Sequence, residues 1–185
     1  YLDVADAKVF QANTNHTPLY WDNYPVNDVA MLNELHVGPI EGREIGLHNH
    51  SLGYFANPMD RFELSLISLS TIGDYLWDTQ GYDPQVSWEY SLTLLMDNPG
   101  DRAAIRNLLR GCFESCLRVN PAPDFSAMLE AASFSWKTGK PAHAAQLVQA
   151  HSQQMLKDVA TIKSAQFSQP QWREESLKWL TKYEA

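Results

Sequence analysis

The stretch PLYWDNYPVND, residues 18–28, decides how the first part of the chain folds. Its first half, Pro18 to Trp21, is a short apolar run between turn-forming residues, which predicts a buried strand. Its second half contains Pro25 and two asparagines, which oppose regular strand pairing and predict a loop. The stretch therefore predicts a strand that delivers polar and aromatic side chains at its carboxyl end.

A second stretch of the same kind is SLGYFANPM, residues 51–59. Ser51 to Ala56 predicts a strand, and Asn57-Pro58 ends it before a helix. Upstream of the first strand, Asp3 is a good N-cap for a helix to about Asn13. In the long connection between the two strands, residues 35–37 are predicted to adopt an extended conformation. The order helix, strand, long loop, strand, helix is typical of α/β units with parallel strands.

The chain from Pro58 onward has helical periodicity almost throughout. The first of these helices is predicted over residues 58–77. Its apolar residues at helical spacing predict one buried face, formed by Phe62, Leu66, Leu69, Ile72 and Leu76.

Proline at a first helical position predicts the start of three later helices. The signals are Asp83-Pro84, Asn98-Pro99 (to about Leu117) and Pro170. Two more helices are predicted over residues 125–137 and about 142–167. Three tryptophans at apolar helix positions are predicted to pack in the core, namely Trp136, Trp172 and Trp179. Short loops between the helices indicate a bundle, so the fold class is α/β followed by all-α.

Composition and charge exclude several partners. The 185 residues are 44% hydrophobic and 11% aromatic, which is a globular composition. A net charge of -8 argues against nucleic acid and against an anionic membrane surface, because both need a basic face. No run of 18 apolar residues is present, so we expect no membrane span.

The two strand ends carry the residue types that a carbohydrate needs. An indole such as Trp21 packs on the apolar face of a sugar ring, and the side chains of Asn23 and Asp28 suit its hydroxyls. The alternative for this segment is a polar turn with a core tryptophan. Asn57 lies at the end of the second strand, where the alternative role is capping of the following helix.

Metal and thiol chemistry have weaker support. His48 and His50 would face the same way on a strand, and His36 or Asp28 is a candidate third ligand for a metal-dependent enzyme. The sequence lacks the HExxH and CxxC patterns, so a hydrogen-bonded loop is favoured and no cofactor is expected. Cys112 and Cys116, one helical turn apart, are predicted to be buried thiols.

The motifs together resemble those of glycoside hydrolase family 84. The resemblance is carried by WDNYPVND at residues 21–28, VGP at 37–39, and ANPM at 56–59 at the start of a helix. That family comprises β-N-acetylglucosaminidases, including protein O-GlcNAc hydrolases and enzymes once called hyaluronidases. The order and spacing match over about residues 1–95, and the later helices resemble the post-catalytic helical domain more loosely.

The resemblance implies a fold and a set of site residues. Residues 1–78 would be the last strands and helices of a (β/α)8 catalytic barrel, and residues 79–185 a helical bundle domain. Trp21 would line the pocket around the sugar's acetamido group, and Asn23 would hydrogen-bond near the sugar. Asp28 would hold the hydroxyls at positions 4 and 6, and Asn57 a neighbouring hydroxyl.

The resemblance also implies that the chemistry lies outside this chain. The family's catalytic pair is two consecutive aspartates, and no Asp-Asp occurs in the 185 residues. A barrel takes about 250 residues, so we expect a portion of one that is inactive alone. The reaction would be retaining hydrolysis in which the substrate's acetamido oxygen forms an oxazoline.

The expected partners are an N-acetylglucosamine-containing glycan or glycoprotein and either the missing N-terminal barrel portion or a second copy of the chain. Barrel strands cut from their neighbours leave unpaired edges and bare apolar faces, which require such a partner or a rearrangement of the first 57 residues. The alternative function is a non-catalytic helical interaction module.

Overall fold

The first helix begins where the sequence places its cap. The computed structural model describes residues 1–113 and 123–181. Helix α1 spans Val4–Thr14, and the Asp3 side chain accepts a hydrogen bond from the Asp6 backbone N–H at 2.8 Å. Asn15 ends the helix in the left-handed region, with φ of 57°. The predicted cap and length of α1 are therefore confirmed, although Ala7 is its one buried residue.

The two predicted strands form and pair in parallel. Strand β1 spans Leu19–Asp22 and strand β2 spans Gly53–Ala56. Their register places Trp21 opposite Phe55, and the parallel α/β pairing predicted from the sequence is confirmed. The single-turn helices η1 (Val29–Met31) and η2 (Leu47–His50) lie in the long connection between the strands.

The prediction that β1 is a buried strand is wrong within the described chain. Tyr54 and Ala56 pack against the core cluster of Ile40, Ile72 and Tyr75. The opposite face of the sheet is bare, with Leu19, Trp21 and Phe55 all more than half exposed. Side chains alternate along a strand, so covering one face leaves every second residue in solvent.

The segment 35–37 is buried but forms no strand. Val37 is fully buried, and its carbonyl accepts a hydrogen bond from Trp88 Nε1 at 2.6 Å. Ser68 donates to the carbonyl of His36, and the backbone N–H of Ile40 donates to Thr71 Oγ1 at 3.0 Å. Side chains thus satisfy the backbone groups that a neighbouring strand would have paired.

This buried loop explains why the predicted face of the next helix is wrong. Helix α2 spans Phe62–Trp77, starting four residues later than predicted. Phe62 and Leu76 are exposed, and of the five predicted residues only Ile72 is buried. The helix instead buries a mixed face of apolar and hydroxyl side chains, consisting of Leu64, Ser65, Ile67, Ser68, Thr71, Ile72 and Tyr75. Its hydroxyls are needed inside because the loop's backbone groups must be paired there.

Three of the later helices begin at the predicted proline signals of Pro84, Pro99 and Pro170, and the other two begin one or two residues before their predicted starts. The later helices are α3 (Pro84–Leu95), α4 (Pro99–Arg110), α5 (Pro123–Lys137), α6 (Pro141–Ser164) and α7 (Pro170–Leu180). Asp83 caps α3 through the backbone N–H of Val86, and Asn98 caps α4 through that of Gly100. Helix α4 ends at Arg110, where Gly111 closes its last turn, and its predicted end near Leu117 lies outside the described residues.

The chain divides into two compact units, Tyr1–Ser91 and Leu92–Ala185, with the boundary inside α3. The domain boundary predicted after residue 78 stays a prediction. In the second unit α6 packs against α4 and α5. Trp172 and Trp179 are buried as predicted, but Trp136 is 68% exposed, so its predicted core position is wrong. Among the described residues, no helix is long and apolar enough to cross a membrane.

Two leucines of α2, one buried and one exposed, allow the buried face of the helix to be tested. Leu64 is 1% exposed and Leu76 is 44% exposed. We expect Leu64→Ala to lower the free energy of unfolding of the 185-residue chain by about 2–5 kcal/mol, since it leaves a cavity. Leu76→Ala is the matched control and should cost less than about 1 kcal/mol. Urea unfolding measures both; equal losses would contradict the observed face.

Candidate functional site

The carboxyl ends of β1 and β2 lie side by side. The backbone N–H of Asn57 donates to the carbonyl of Asp22 at 2.9 Å, which continues the ladder one residue past the strands. Asn23 and Asn57, the next residues on each chain segment, therefore share one edge of the sheet. Neighbouring parallel strands bring their carboxyl ends to the same edge, as the sequence predicted.

Three of the four predicted site residues are joined by hydrogen bonds at this edge. Asn23 Oδ1 accepts from Trp21 Nε1 at 2.9 Å and from Asn57 Nδ2 at 3.3 Å. Within the described chain, Asn23 Nδ2 and Asn57 Oδ1 have no partner. The cluster thus offers donor hydrogens and an acceptor oxygen beside an exposed indole, a combination that fits a sugar hydroxyl.

Asp28 lies on the loop beyond this cluster. It precedes η1, is exposed, and its carboxylate makes no capping hydrogen bond to that turn. Among the described residues it has no hydrogen bond to Trp21, Asn23 or Asn57. The structure therefore leaves the Asp28 carboxylate available, at the start of the exposed tip of the loop.

A charged cluster that was not predicted from the sequence lies beneath the site. Asp22 Oδ2 accepts hydrogen bonds from Arg43 Nε at 2.7 Å, from Arg43 Nη2 and from the Tyr54 hydroxyl. Arg43 also lies over the Tyr24 ring, 5.8 Å from its centroid. Asp22 points to the opposite side of β1 from Trp21. This alternation was the one feature of the sequence that could have predicted that Asp22 does not belong to the strand-end site.

Protonation states in this cluster are fixed by burial and mutual contact. Burial alone would lower the pKa of Arg43, but its hydrogen bonds and charge pairing with Asp22 outweigh this and raise it. Burial first, and then the bond to the Asp22 carboxylate, raise the pKa of Tyr54. Tyr54 therefore stays a donor, and the cluster holds the end of β1 in place from below.

The described residues do not assemble a metal site. They contain no group of three His, Cys, Asp or Glu side chains that could hold an ion. His48 and His50 lie on the short turn η2 and not on a strand, because residues 47–50 coil before β2 begins. His48 Nδ1 lies 3.1 Å from Thr79 Oγ1, and His36 is bonded elsewhere. Cys112 is half-buried, and Cys116 lies outside the described residues.

A concave feature lies at the opposite end of β2 from Asn57. It has a volume of about 230 Å³ and is lined by apolar residues such as Leu47, Leu52 and Leu76, with Gly53 at the start of the strand. It is distinct from the edge formed by Asn23 and Asn57.

Comparison with known proteins identifies the family. The family model described as beta-N-acetylglucosaminidase matches residues 1–110, more than half of the chain. The chain belongs to this family. The resemblance to glycoside hydrolase family 84 is therefore confirmed, and the matched residues include all four predicted site positions.

Solved structures show the same fold. The chain is similar to a mutant of the Thermobaculum terrenum O-GlcNAc hydrolase, with 24% identity and a TM-score of 0.83 over 98% of the chain. The structure of CpGH84B gives 21% identity and a TM-score of 0.81 over 97% of the chain. The structure of CpGH84D gives 17% identity and a TM-score of 0.82 over 99% of the chain.

The chain spans about a third of the length of these related proteins. It covers 38% of the Thermobaculum terrenum chain and 31% of each of the other two. The comparisons thus establish the family and the fold of the chain.

The charged cluster beneath the site is directly testable. We expect Arg43→Met to lower the free energy of unfolding by about 3–5 kcal/mol, because it leaves the Asp22 carboxylate buried without its positively charged partner. Adding Asp22→Asn should restore part of the loss. The control is Arg61→Met, whose partner Asp60 is 72% exposed, with an expected cost below about 1 kcal/mol. Urea unfolding of the chain measures all three; an Arg43→Met cost as small as the control's would contradict the assignment.

Proposed function

We propose that this chain is the carboxyl-terminal part of a retaining β-N-acetylglucosaminidase, which we call the parent enzyme. In this proposal β1, β2 and α2 are the last elements of a (β/α)8 barrel, and the later helices form a bundle domain. The parallel pairing of β1 and β2 supports it, because parallel strands occur in sheets covered on both faces. The bare face bearing Leu19, Trp21 and Phe55 is then the face toward the barrel interior.

The single observation that carries the proposal is the meeting of Trp21, Asn23 and Asn57 at the carboxyl ends of parallel strands. Barrel enzymes build their active sites at this end of the strands. The exposed indole of Trp21 provides an apolar wall for the acetamido group, and the side-chain amides provide hydrogen bonds to the sugar. Asp28 adds a carboxylate for the hydroxyls at positions 4 and 6 of the sugar.

The role of these residues in the reaction is to hold the substrate. The acetamido oxygen attacks the anomeric carbon, the bond to the leaving oxygen breaks, and a general acid protonates that oxygen. Water then opens the oxazoline. The paired aspartates that polarise the acetamido group and transfer protons lie outside this chain in the proposal. Its own residues fix the sugar's orientation and ring shape, which lowers the entropic part of the barrier.

A second candidate, a non-catalytic interaction module, has support from α5. Phe134 and Trp136 are 69% and 68% exposed there, and large exposed aromatics are common where proteins dock. Activity measurements separate this candidate from the first, because a docking module does not need Asp28 or Asn57 for hydrolysis.

We expect the parent enzyme to hydrolyse 4-nitrophenyl N-acetyl-β-glucosaminide. Asp28→Ala and Asn57→Ala should each lower kcat/KM by about 10- to 100-fold, since each removes a hydrogen bond to the sugar. The measurement is initial-rate kinetics on purified parent enzyme and variants.

Two controls accompany these variants. Asn49→Ala and Asp97→Ala remove the same side chains at exposed positions that are not among the proposed site residues, and they should leave kcat/KM unchanged. The isolated 185-residue chain should show no hydrolysis above background, because it lacks an Asp-Asp pair. Wild-type rates in both site variants, or hydrolysis by the isolated chain, would contradict the proposal.

A further inference from the structure

The loop that carries Asp28 has a buried base and an exposed tip. Asn27 is 3% exposed and His36 is 8% exposed, whereas most of the residues between them lie in solvent. Val29, in the tip, has a φ of 52°, which a β-branched residue rarely adopts. Such a conformation persists only when the surrounding structure fixes it, so the base must hold the tip.

Side-chain hydrogen bonds close the base across the loop. Asn27 Nδ2 donates to the carbonyl of Glu34 at 2.9 Å. His36 Nδ1 lies 2.7 Å from the carbonyl of Val26, and His36 Nε2 lies 2.7 Å from Glu34 Oε2. Residues before the tip are thus tied to residues after it, and the six residues 28–33 form a closed loop.

The base is in turn anchored to the first unit's core. The backbone N–H of His36 donates to Met59 Sδ at 3.3 Å, and Ser68 Oγ of α2 donates to the carbonyl of His36. The Tyr24 ring stacks on the His36 imidazole at 6.3 Å between centroids and 14° between planes. The position of His36 is therefore set by Met59 after β2, by Ser68 of α2 and by Tyr24 at the start of the loop.

The partners of His36 make it a cross-link and not a simple filler. The Val26 carbonyl can only accept hydrogen bonds, and so can the Glu34 carboxylate when it is ionised. An imidazolium satisfies both, and a neutral ring satisfies one. An apolar ring of similar size would fill the space without tying either side of the loop.

We propose that Asn27 and His36 are positioning residues that hold the Asp28 carboxylate at the sugar. Asp28 directly follows the buried Asn27, and its carboxylate makes no capping hydrogen bond. Its carbonyl accepts a hydrogen bond from the Met31 N–H at 2.9 Å, which lies within the tip, so the closed base is what ties Asp28 to the core. The inference rests on the proposed function, in which Asp28 binds the sugar. It adds two buried residues that never touch substrate but set the geometry of one that does.

A double-mutant cycle in the parent enzyme tests this. Asn27→Asp keeps the side-chain shape but loses the donor to Glu34, and should lower kcat/KM about tenfold. In an enzyme that already carries Asp28→Ala, the same change should lower kcat/KM less than about twofold, because its effect acts through Asp28. His36→Phe repeats the cycle independently, and thermal unfolding shows that each variant is folded.

The outcomes separate the inference from the proposed function. His16→Phe, at an exposed position away from the loop, is the control and should not change kcat/KM. An equal loss in both backgrounds would show a general structural role and overturn the inference, as would no loss in either. If Asp28→Ala alone has no effect, the proposed sugar contact fails first and the inference with it. If Asp28→Ala reduces kcat/KM but both base variants are silent, the inference alone fails.

Discussion

The in-register parallel pairing of β1 and β2 is the constraint on which the site depends. It brings two segments that are 34 positions apart in sequence, at Asn23 and Asn57, within hydrogen-bond distance. Because side chains alternate along a strand, Trp21 points to one side of β1 and Asp22 to the other. The end of β1 therefore presents the exposed Trp21 indole on one face, and Arg43 and Tyr54 hold it through Asp22 on the other. A one-residue slip in register would exchange these two roles and bury the indole side.

A buried loop shapes the rest of the first unit. The connection between the strands passes through the interior without a strand to pair with, so its backbone groups need side-chain partners. Trp88, Ser68 and Thr71 supply them. This requirement explains a helix that buries hydroxyl groups beside leucine and isoleucine. It also places His36 where it can close the neighbouring loop.

Features set by local chemistry could be predicted from the sequence. The cap at Asp3, the helix starts at Pro84 and Pro99, and the two short strands depend on neighbouring residues alone. The approach of Asn23 to Asn57 could also be predicted, because it follows from parallel pairing. Helical periodicity, by contrast, predicted the wrong buried face for α2. It considers only apolar residues, whereas the loop's backbone groups also require hydroxyl side chains on the buried face.

Features set by distant partners could not be predicted. Asp22 looks like another polar loop residue until Arg43, 21 positions later, packs against it. Trp136 has the spacing of a core residue but lies on an exposed part of α5. The placement of Asp28 depends on contacts that Asn27 and His36 make across the loop, which no local pattern encodes.

The most direct test of the proposed sugar site at the strand ends is a crystal structure of the parent enzyme with N-acetylglucosamine bound. We predict sugar hydroxyls within about 3.2 Å of side-chain atoms of Asn57 and Asp28, and the acetamido group in contact with the Trp21 indole. A sugar bound elsewhere, with Trp21, Asn23 and Asn57 facing solvent, would contradict it.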